Sequence, residues 1–315
     1  MLTRELIDRN NAELVAINDL SNASTLLHLY KYDSIHGSRK EGSALTKKGF
    51  QLNGKEIAVF SEQNPENLPW KELDVDIVVE STGKFRTREG AEKHLAAGAK
   101  KVILSAPPKS DDIKSVCLGI NEDILDGTED VISNASCTTN SAAPLVKVMR
   151  TLTTIEAAYI TTIHSYTGDQ RLHDTPHSDL RRARAGAVSI VPTTTGAAKA
   201  ITKIFPDLGD VMGGCGIRVP VPDGSLTDMT FIVKDSLSID EINKAFKLAA
   251  ENELKGILEY TEDPIVSVDI QGNKHSCIFD SLLTSSIGNM VKIMGWYDNE
   301  IGYAARLADL IERLK

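Results

Sequence analysis

A chain of 315 residues with 41% hydrophobic and 25% charged side chains has room for about two domains and a sizeable core. Its net charge of −9 argues against charge-driven nucleic-acid binding, and no apolar run of about 18 residues or signal-peptide pattern marks a membrane span or a leader. Four scattered cysteines (Cys117, Cys137, Cys215 and Cys277) with no C-x-x-C point to reduced thiols in a cytoplasmic protein rather than a disulfide frame.

Residues 1–12 read as the end of a helix, and Leu14 to Ile17 as a strand followed by Asn18-Asp19. Val75 to Val79 and Lys101 to Leu104 are further strands, with a helix from Thr87 to Ala97 stopped by Gly98. Strands separated by helices predict a Rossmann-like, doubly wound parallel sheet, with ligands beyond the strand C-termini, where Asp19, Thr82-Gly83 and Ser105 fall. A strand from Asp130 to Ser133 then gives way at Cys137 to a helical run, Ala142 to Met149. Beyond it the strands lengthen: Ala158 to Ile163, Leu226 to Val233 and Val291 to Tyr297, the last entered from a hairpin turn at Gly288-Asn289. Ser238-Ile239-Asp240-Glu241 is a capping box opening a helix to about Glu251, and Ile301 to Leu314 is a terminal helix. The second half therefore predicts an α+β domain with a mainly antiparallel sheet and helices on one face. The expected division is 1–136, completed by the helix 300–315, and 137–299.

Ser133-Asn134-Ala135-Ser136-Cys137-Thr138-Thr139-Asn140 is the most informative stretch. A thiol at a helix N-terminus feels the positive end of the macrodipole, which favours thiolate, and the N–H groups there can receive an oxyanion or a phosphate. His164 lies 27 residues on, in the strand Thr161-Thr162-Ile163. A Cys–His pair on opposing elements can serve as nucleophile and base. His28, His36, His94, His173, His177 and His275 lack such a context and read as structural or surface groups, and no cluster has metal-ligand spacing. Arg218 stands in a strand, an unfavourable place for a charge without a partner. Arg181-Arg182-Ala183-Arg184 is a basic run, and Thr195-Gly196 opens a helix at Ala197.

With these segments in order the chain resembles the phosphorylating glyceraldehyde-3-phosphate dehydrogenases. The likeness runs through Ala16-Ile17-Asn18-Asp19, Lys31-Tyr32-Asp33-Ser34, Glu80-Ser81-Thr82-Gly83, Ser105-Ala106-Pro107, the cysteine octapeptide, Thr193 to Lys199, Arg218-Val219-Pro220 and Trp296-Tyr297-Asp298-Asn299-Glu300. The resemblance implies NAD as cofactor, glyceraldehyde 3-phosphate and inorganic phosphate as substrates, and a homotetramer in which the loop 169–188 lines a neighbour's cofactor site. It implies Cys137 as the nucleophile, forming a thiohemiacetal and then a thioester, with His164 as its ion-pair partner and base. Substrate and phosphate ligands are then Ser136, Thr138, Thr167, Arg182, Thr195, Gly196 and Arg218; among the three arginines Arg182 is the assigned match, with Arg184 next. Cofactor contacts are Asp19 on the ribose diol, favouring NAD over NADP, together with Thr82, Gly83, Ser105, Asn299 on the carboxamide, and Tyr303.

Members of this family open with a strand and a glycine-rich turn that carries the pyrophosphate, and neither precedes Glu13; no G-x-G-x-x-G occurs in the N-terminal half. The expectation is therefore of a natural protein that begins upstream of Met1, and of weak NAD binding by the chain as it stands, with inner strand edges exposed in the cofactor half. Three alternatives stand beside the leading function: erythrose-4-phosphate dehydrogenase, an impaired paralogue acting as a binding protein, and a cysteine hydrolase. A hydrolase explains neither the two anion sites nor Asp19 and Asn299.

Overall fold

The computed structural model describes residues 1–314. They form two compact units, one of residues 1–114, 123–134 and the chain from Leu307 on, the other of 115–122 and 135–306.

In the first unit α1 (Leu2–Arg9) is tied down by buried Arg4, which donates to the carbonyls of Tyr30 (2.7 Å) and Gly37 (3.2 Å), and by Arg9, which pairs with Glu5 (3.1 Å) and Asp309. Next come β1 (Ala16–Asn18) and α2 (Ala23–Lys31), capped by Asn22, which accepts from the Thr25 N–H at 2.9 Å. A small ribbon of β2 (Tyr32–Asp33) and β3 (Gly37–Ser38) leads to β4 (Ser43–Leu45), β5 (Gly49–Leu52) and β6 (Lys55–Phe60). β5 turns into β6 through Asn53 (φ 48°) and Gly54 (φ 83°), the left-handed pair that a two-residue hairpin requires. β6 then lies parallel to β1, with Ala16 opposite Ala58. A second sheet is built from β7 (Ile77–Glu80), β8 (Lys101–Leu104), β9 (Lys114–Ser115) and β10 (Val131–Ser133), with α3 (Arg88–Ala96, capped by Thr87) connecting β7 to β8.

The parallel strands and intervening helices are those of a Rossmann-like α/β unit, but they form two four-stranded sheets, β1-β6-β5-β4 and β7-β8-β10-β9. The antiparallel extension β5-β4 departs from the all-parallel expectation because the Asn53-Gly54 turn folds the chain straight back on itself. β1 and β7 each carry one ladder among the described residues, so each is a sheet edge. Separate apolar clusters nevertheless form, one around Leu27, Phe50, Leu52 and Ile57 and another around Ala91, Val102, Leu104 and Val131. Full burial of a side chain of Leu or Phe size contributes about 1.5–3 kcal/mol.

The second unit begins with α4 (Cys137–Leu152) and β11 (Ile155–Ser165), followed by β12 (Val191–Thr193), α5 (Ala197–Ile204), β13 (Met212–Val219) and β14 (Ser225–Val233). It continues with α6 (Ile239–Glu251), β15 (Leu258–Thr261), β16 (Cys277–Asp280), β17 (Ser285–Ile287), β18 (Met290–Tyr297) and α7 (Ile301–Arg313), whose last residues belong to the first unit. The capping box is present: Ser238 Oγ accepts from the Glu241 N–H (3.2 Å) and the Glu241 carboxylate from the Ser238 N–H (2.8 Å). The sheet order is β12-β13-β11-β14-β18-β16-β15, with β17 beside β18. Most pairs are antiparallel, as expected, while β11–β13 and β15–β16 are parallel. β14 alternates buried and half-buried side chains, the signature of a sheet with one covered face. Leu145 and Met149 of α4, Ile201 of α5 and Phe246 of α6 share one core with Ile160, Phe231 and Phe279. Phe246 stacks on Phe279 at 3.9 Å between ring centroids.

Candidate active site

Cys137 is the first residue of α4. The turn into the helix bends sharply at Ala135 (φ 55°), a left-handed conformation that costs a non-glycine residue about 1–2 kcal/mol. The Tyr303 hydroxyl donates to the Ala135 carbonyl at 3.1 Å, within the same unit. Ser136 caps the helix, its Oγ accepting from the Thr139 N–H at 3.1 Å and lying 2.7 Å from Thr139 Oγ1. The half-buried thiol therefore stands at a helix start, with the N–H groups of Cys137 and Thr138 turned toward its sulfur.

β11 carries His164, and its parallel register with β13 sets His164 directly opposite Arg218. His164 Nε2 is 3.5 Å from Cys137 Sγ. On the far side of the ring Nδ1 is 2.7 Å from the Ser165 carbonyl, an acceptor; a proton on Nδ1 would turn the Nε2 lone pair to the thiol, whereas the Arg218 donor beside Nδ1 favours the opposite tautomer. Arg218 Nη1 donates to the same carbonyl at 2.9 Å and also lies 2.9 Å from Nδ1.

Burial, then the charge of Arg218, pushes His164 down to about 3. Burial also pushes the Cys137 thiol up, while Arg218 and the helix-start N–H groups of Thr138 and Cys137 pull it back. Burial thus pushes each group toward its neutral form, and the adjacent guanidinium adds to this at His164, while the helix-start N–H groups and Arg218 favour the thiolate. Exchanging Arg218 for leucine should raise the thiol further and slow iodoacetamide alkylation of Cys137 near neutral pH by about tenfold. An unchanged alkylation rate would take Arg218 out of the electrostatics of the Cys137 thiol.

Of the three arginines in the basic run, Arg182 is the one whose charge reaches this site: it depresses both His164 and Arg218. Its guanidinium donates to Asp169 (2.6 Å), to Thr193 Oγ1 (3.0 Å) and to the Thr194 carbonyl (3.3 Å), which ties it to the segment leading into Thr195. Arg184 instead faces outward onto Asp174 (2.9 Å), and Arg181 is exposed. Thr195 Oγ1 accepts from the Ala197 N–H at 3.2 Å, and exposed Gly196 precedes α5. Thr167 lies two residues past the end of β11, half-buried, its carbonyl accepting from the Gln170 N–H. The Thr138 hydroxyl bonds Tyr297 Oη (2.9 Å) and Ser136 Oγ is occupied by the cap, so both hydroxyls already serve the protein.

Asn299 Oδ1 receives two hydroxyls, Ser165 and Ser225, each at 2.7 Å. Asp298 fixes the backbone beside it by accepting from the N–H groups of Glu300 (2.9 Å) and Ile301 (2.8 Å) at the start of α7. Sequence reasoning missed Ser165, Ser225 and Tyr297 as supporting groups. Tyr297 is signalled only by its place beside Trp296, yet its hydroxyl joins Thr138 to Thr162 (3.0 Å) and its ring meets the His164 ring edge-on at 5.9 Å.

In the first unit the four expected residues lie just past strand C-termini. Asp19 follows β1 with an exposed carboxylate that accepts from the Ser21 N–H at 2.8 Å. Thr82 and Gly83 follow β7; Gly83 has φ 71°, and a Cβ there would meet nothing within 4 Å, leaving an open, left-handed turn. Ser105 follows β8 and donates from both N (3.0 Å) and Oγ (3.1 Å) to the Glu80 carbonyl.

Residues 136–299 match the family model described as glyceraldehyde 3-phosphate dehydrogenase, C-terminal domain, and residues 1–88 match its NAD binding domain. The chain belongs to the glyceraldehyde-3-phosphate dehydrogenase family. Members similar to it include glyceraldehyde-3-phosphate dehydrogenase 2 of Streptomyces avermitilis, 54% identical over 98% of this chain and 92% of that protein. The enzyme of Geobacillus stearothermophilus is 51% identical over the same shares, and that of Thermotoga maritima 51% identical over 100% of this chain and 95% of its own length. The C-terminal family match begins at the Ser136 cap and ends at Asn299, so it spans Cys137, His164 and Arg218.

Proposed function

We propose that this protein is a glycolytic oxidoreductase that converts D-glyceraldehyde 3-phosphate, NAD and inorganic phosphate into 1,3-bisphosphoglycerate through a thioester on Cys137. The observation that carries the reading is the Cys137 thiol at a helix start with Nε2 of His164 at 3.5 Å. Relatives about half identical over nearly the whole chain carry the dehydrogenase name.

The chemistry follows from those groups. Cys137 gives its proton to His164 Nε2 as sulfur adds to the aldehyde carbon, and the new alkoxide takes that proton back to form the thiohemiacetal. The helix-start N–H groups steady the developing oxyanion. His164 then receives the hydroxyl proton as the carbon is oxidised to the thioester. NAD, when bound, supplies the hydride acceptor. A phosphate oxygen attacks the thioester carbon, and the Cys137 thiolate leaves. Arg182 and Arg218, which raise each other's electrostatic cost, are both relieved by an anion, so we assign them with Thr167, Thr195, Gly196 and the N–H groups around Ser136 and Thr138 to the substrate and attacking phosphates.

The residues present fit the cofactor's two ends. With Asn299 Oδ1 held by two hydroxyls, its amide nitrogen is the group left to donate to a carboxamide oxygen. Asp19, exposed at the end of a parallel strand, suits a ribose diol and repels a 2′-phosphate. Thr82, Gly83 and Ser105 belong to the same reading, as does Tyr303. We assign residues 1–136 with the helix 300–315 to NAD and 137–299 to catalysis. The loop between β11 and β12 exposes Leu172 (76%), Leu180 (82%), Val188 (80%) and Ile190 (69%), an apolar load suited to burial against other copies, and a cytoplasmic homotetramer is the assembly proposed. No helix among the described residues is long and apolar enough to cross a membrane.

The test is NADH formation with glyceraldehyde 3-phosphate and with erythrose 4-phosphate, each with and without inorganic phosphate, with NADP in parallel. Phosphate-dependent turnover that favours the triose and NAD is expected. Preference for the tetrose would make the alternative substrate correct, and the absence of NADH would leave the binding-protein reading in its place.

A further inference from the structure

Glu80 ends β7 with its carboxylate buried, 4% exposed. Its Oε1 accepts from the Thr82 N–H (2.7 Å) and from the Thr82 hydroxyl, which in turn accepts from the Lys84 N–H (3.1 Å). Its Oε2 is 3.1 Å from Nε2 of His94, itself 4% exposed on α3. On the other side of that ring Trp70 Nε1 lies 3.1 Å from His94 Nδ1. An indole N–H can only donate, so Nδ1 accepts and the imidazole proton sits on Nε2, aimed at Glu80. Burial raises the Glu80 carboxyl, but hydrogen bonds from His94 and Thr82 outweigh it and leave it below the usual carboxylate range. The Ser105 bonds to the Glu80 carbonyl complete the junction, so one buried glutamate gathers Thr82, the turn into Gly83, and Ser105.

We propose that His94 and Trp70 are positioning residues for NAD, setting through Glu80 the conformation of the exposed Thr82–Gly83 turn. The proposal rests on the reading of Thr82 and Gly83 as cofactor contacts. Three features support a role beyond core filling. The polar chain runs from the interior to an exposed turn, every link has a fixed donor direction, and the turn it holds has open space around Gly83. A turn whose two amides and hydroxyl are already ordered loses less freedom when a ligand docks.

The experiment compares wild type, His94→Leu, His94→Gln and Thr82→Val, each as the 315-residue chain. It measures NAD affinity by calorimetry, amide hydrogen exchange over residues 81–84 without NAD, and kcat and KM. His94→Leu should weaken NAD binding and speed exchange at Thr82 and Lys84 by about tenfold each, because the buried carboxylate loses its partner. At saturating NAD, kcat and the aldehyde KM should stay within about twofold, since the group acts only through binding. The amide of His94→Gln can donate to Glu80 and should restore most of both losses. A folded His94→Leu protein with wild-type exchange and affinity would overturn the proposal, as would equal losses in kcat and affinity that His94→Gln does not repair. If His94→Leu does not fold, Trp70→Phe decides by the same measurements, and unchanged exchange at 81–84 would again overturn it. Thr82→Val reports separately on the underlying reading. Unchanged NAD affinity there would remove Thr82 as a cofactor contact, with the exchange data still judging the relay.

Discussion

Cys137→Ser protein folds and loses aldehyde oxidation by at least about 10³-fold. A hydroxyl at the start of α4 keeps the Ser136 cap and the surrounding core, so thermal unfolding should be nearly unchanged. It cannot match the nucleophilicity of sulfur, and an oxygen ester would not conserve the oxidation energy for transfer to phosphate. Iodoacetate should label Cys137 ahead of the other thiols. Cys117 and Cys277 are buried and pushed up to about 12, which leaves them as inert thiols. Turnover by the serine variant near the wild-type rate would end the assignment of Cys137 as nucleophile.

His164→Asn slows hydride transfer by about 10²–10⁴-fold, the scale for loss of a general base. Asparagine can still fill the strand position beside Arg218 but offers no lone pair of comparable basicity to the thiol, so alkylation of Cys137 near neutral pH should slow as well. The same substitution has a pH signature. His164 titrates at about 3 in the folded chain against 6.5 in its ordinary state, so the unfolded chain binds a proton that the folded one refuses between those values. Stability from this group is therefore fully present above about pH 6.5 and falls by about 1.4 kcal/mol per unit as pH drops through that window. The asparagine variant should lack this component and lose less stability on acidification than wild type. Identical acid unfolding curves and an unchanged rate would remove the histidine from both roles.

The legible parts of this molecule are those where local chemistry and local structure agree. The octapeptide around Cys137, the capping box at Ser238 and the strand Lys101–Leu104 each carry their signal within a few residues. The strands β4, β5 and β6 were less visible: polar Gln51, Lys55 and Glu56 interrupt the alternation, although the Asn53-Gly54 turn marks the hairpin. The doubly wound sheet expected for the first half, lacking its first strand and with inner edges exposed, is found as two sheets with β1 and β7 at their edges. The sequence could not show that Arg218 lies beside His164, because 54 residues separate them and only the parallel register of β11 with β13 joins them. The charge of that neighbour pushes His164 down and helps hold the Cys137 thiol from rising further. For the same reason Ser165 and Ser225 around Asn299, and Trp70 and His94 behind Glu80, emerge only from the folded chain.

The central claim, a thioester on Cys137, is tested most directly by mixing the protein with NAD and glyceraldehyde 3-phosphate in the absence of inorganic phosphate, quenching in acid and mapping the modified peptide by mass spectrometry. A 3-phosphoglyceroyl group on Cys137, discharged when phosphate is added before the quench, is the result this account predicts. An unmodified Cys137 accompanied by NADH formation, or an acyl group carried by another residue, would contradict it.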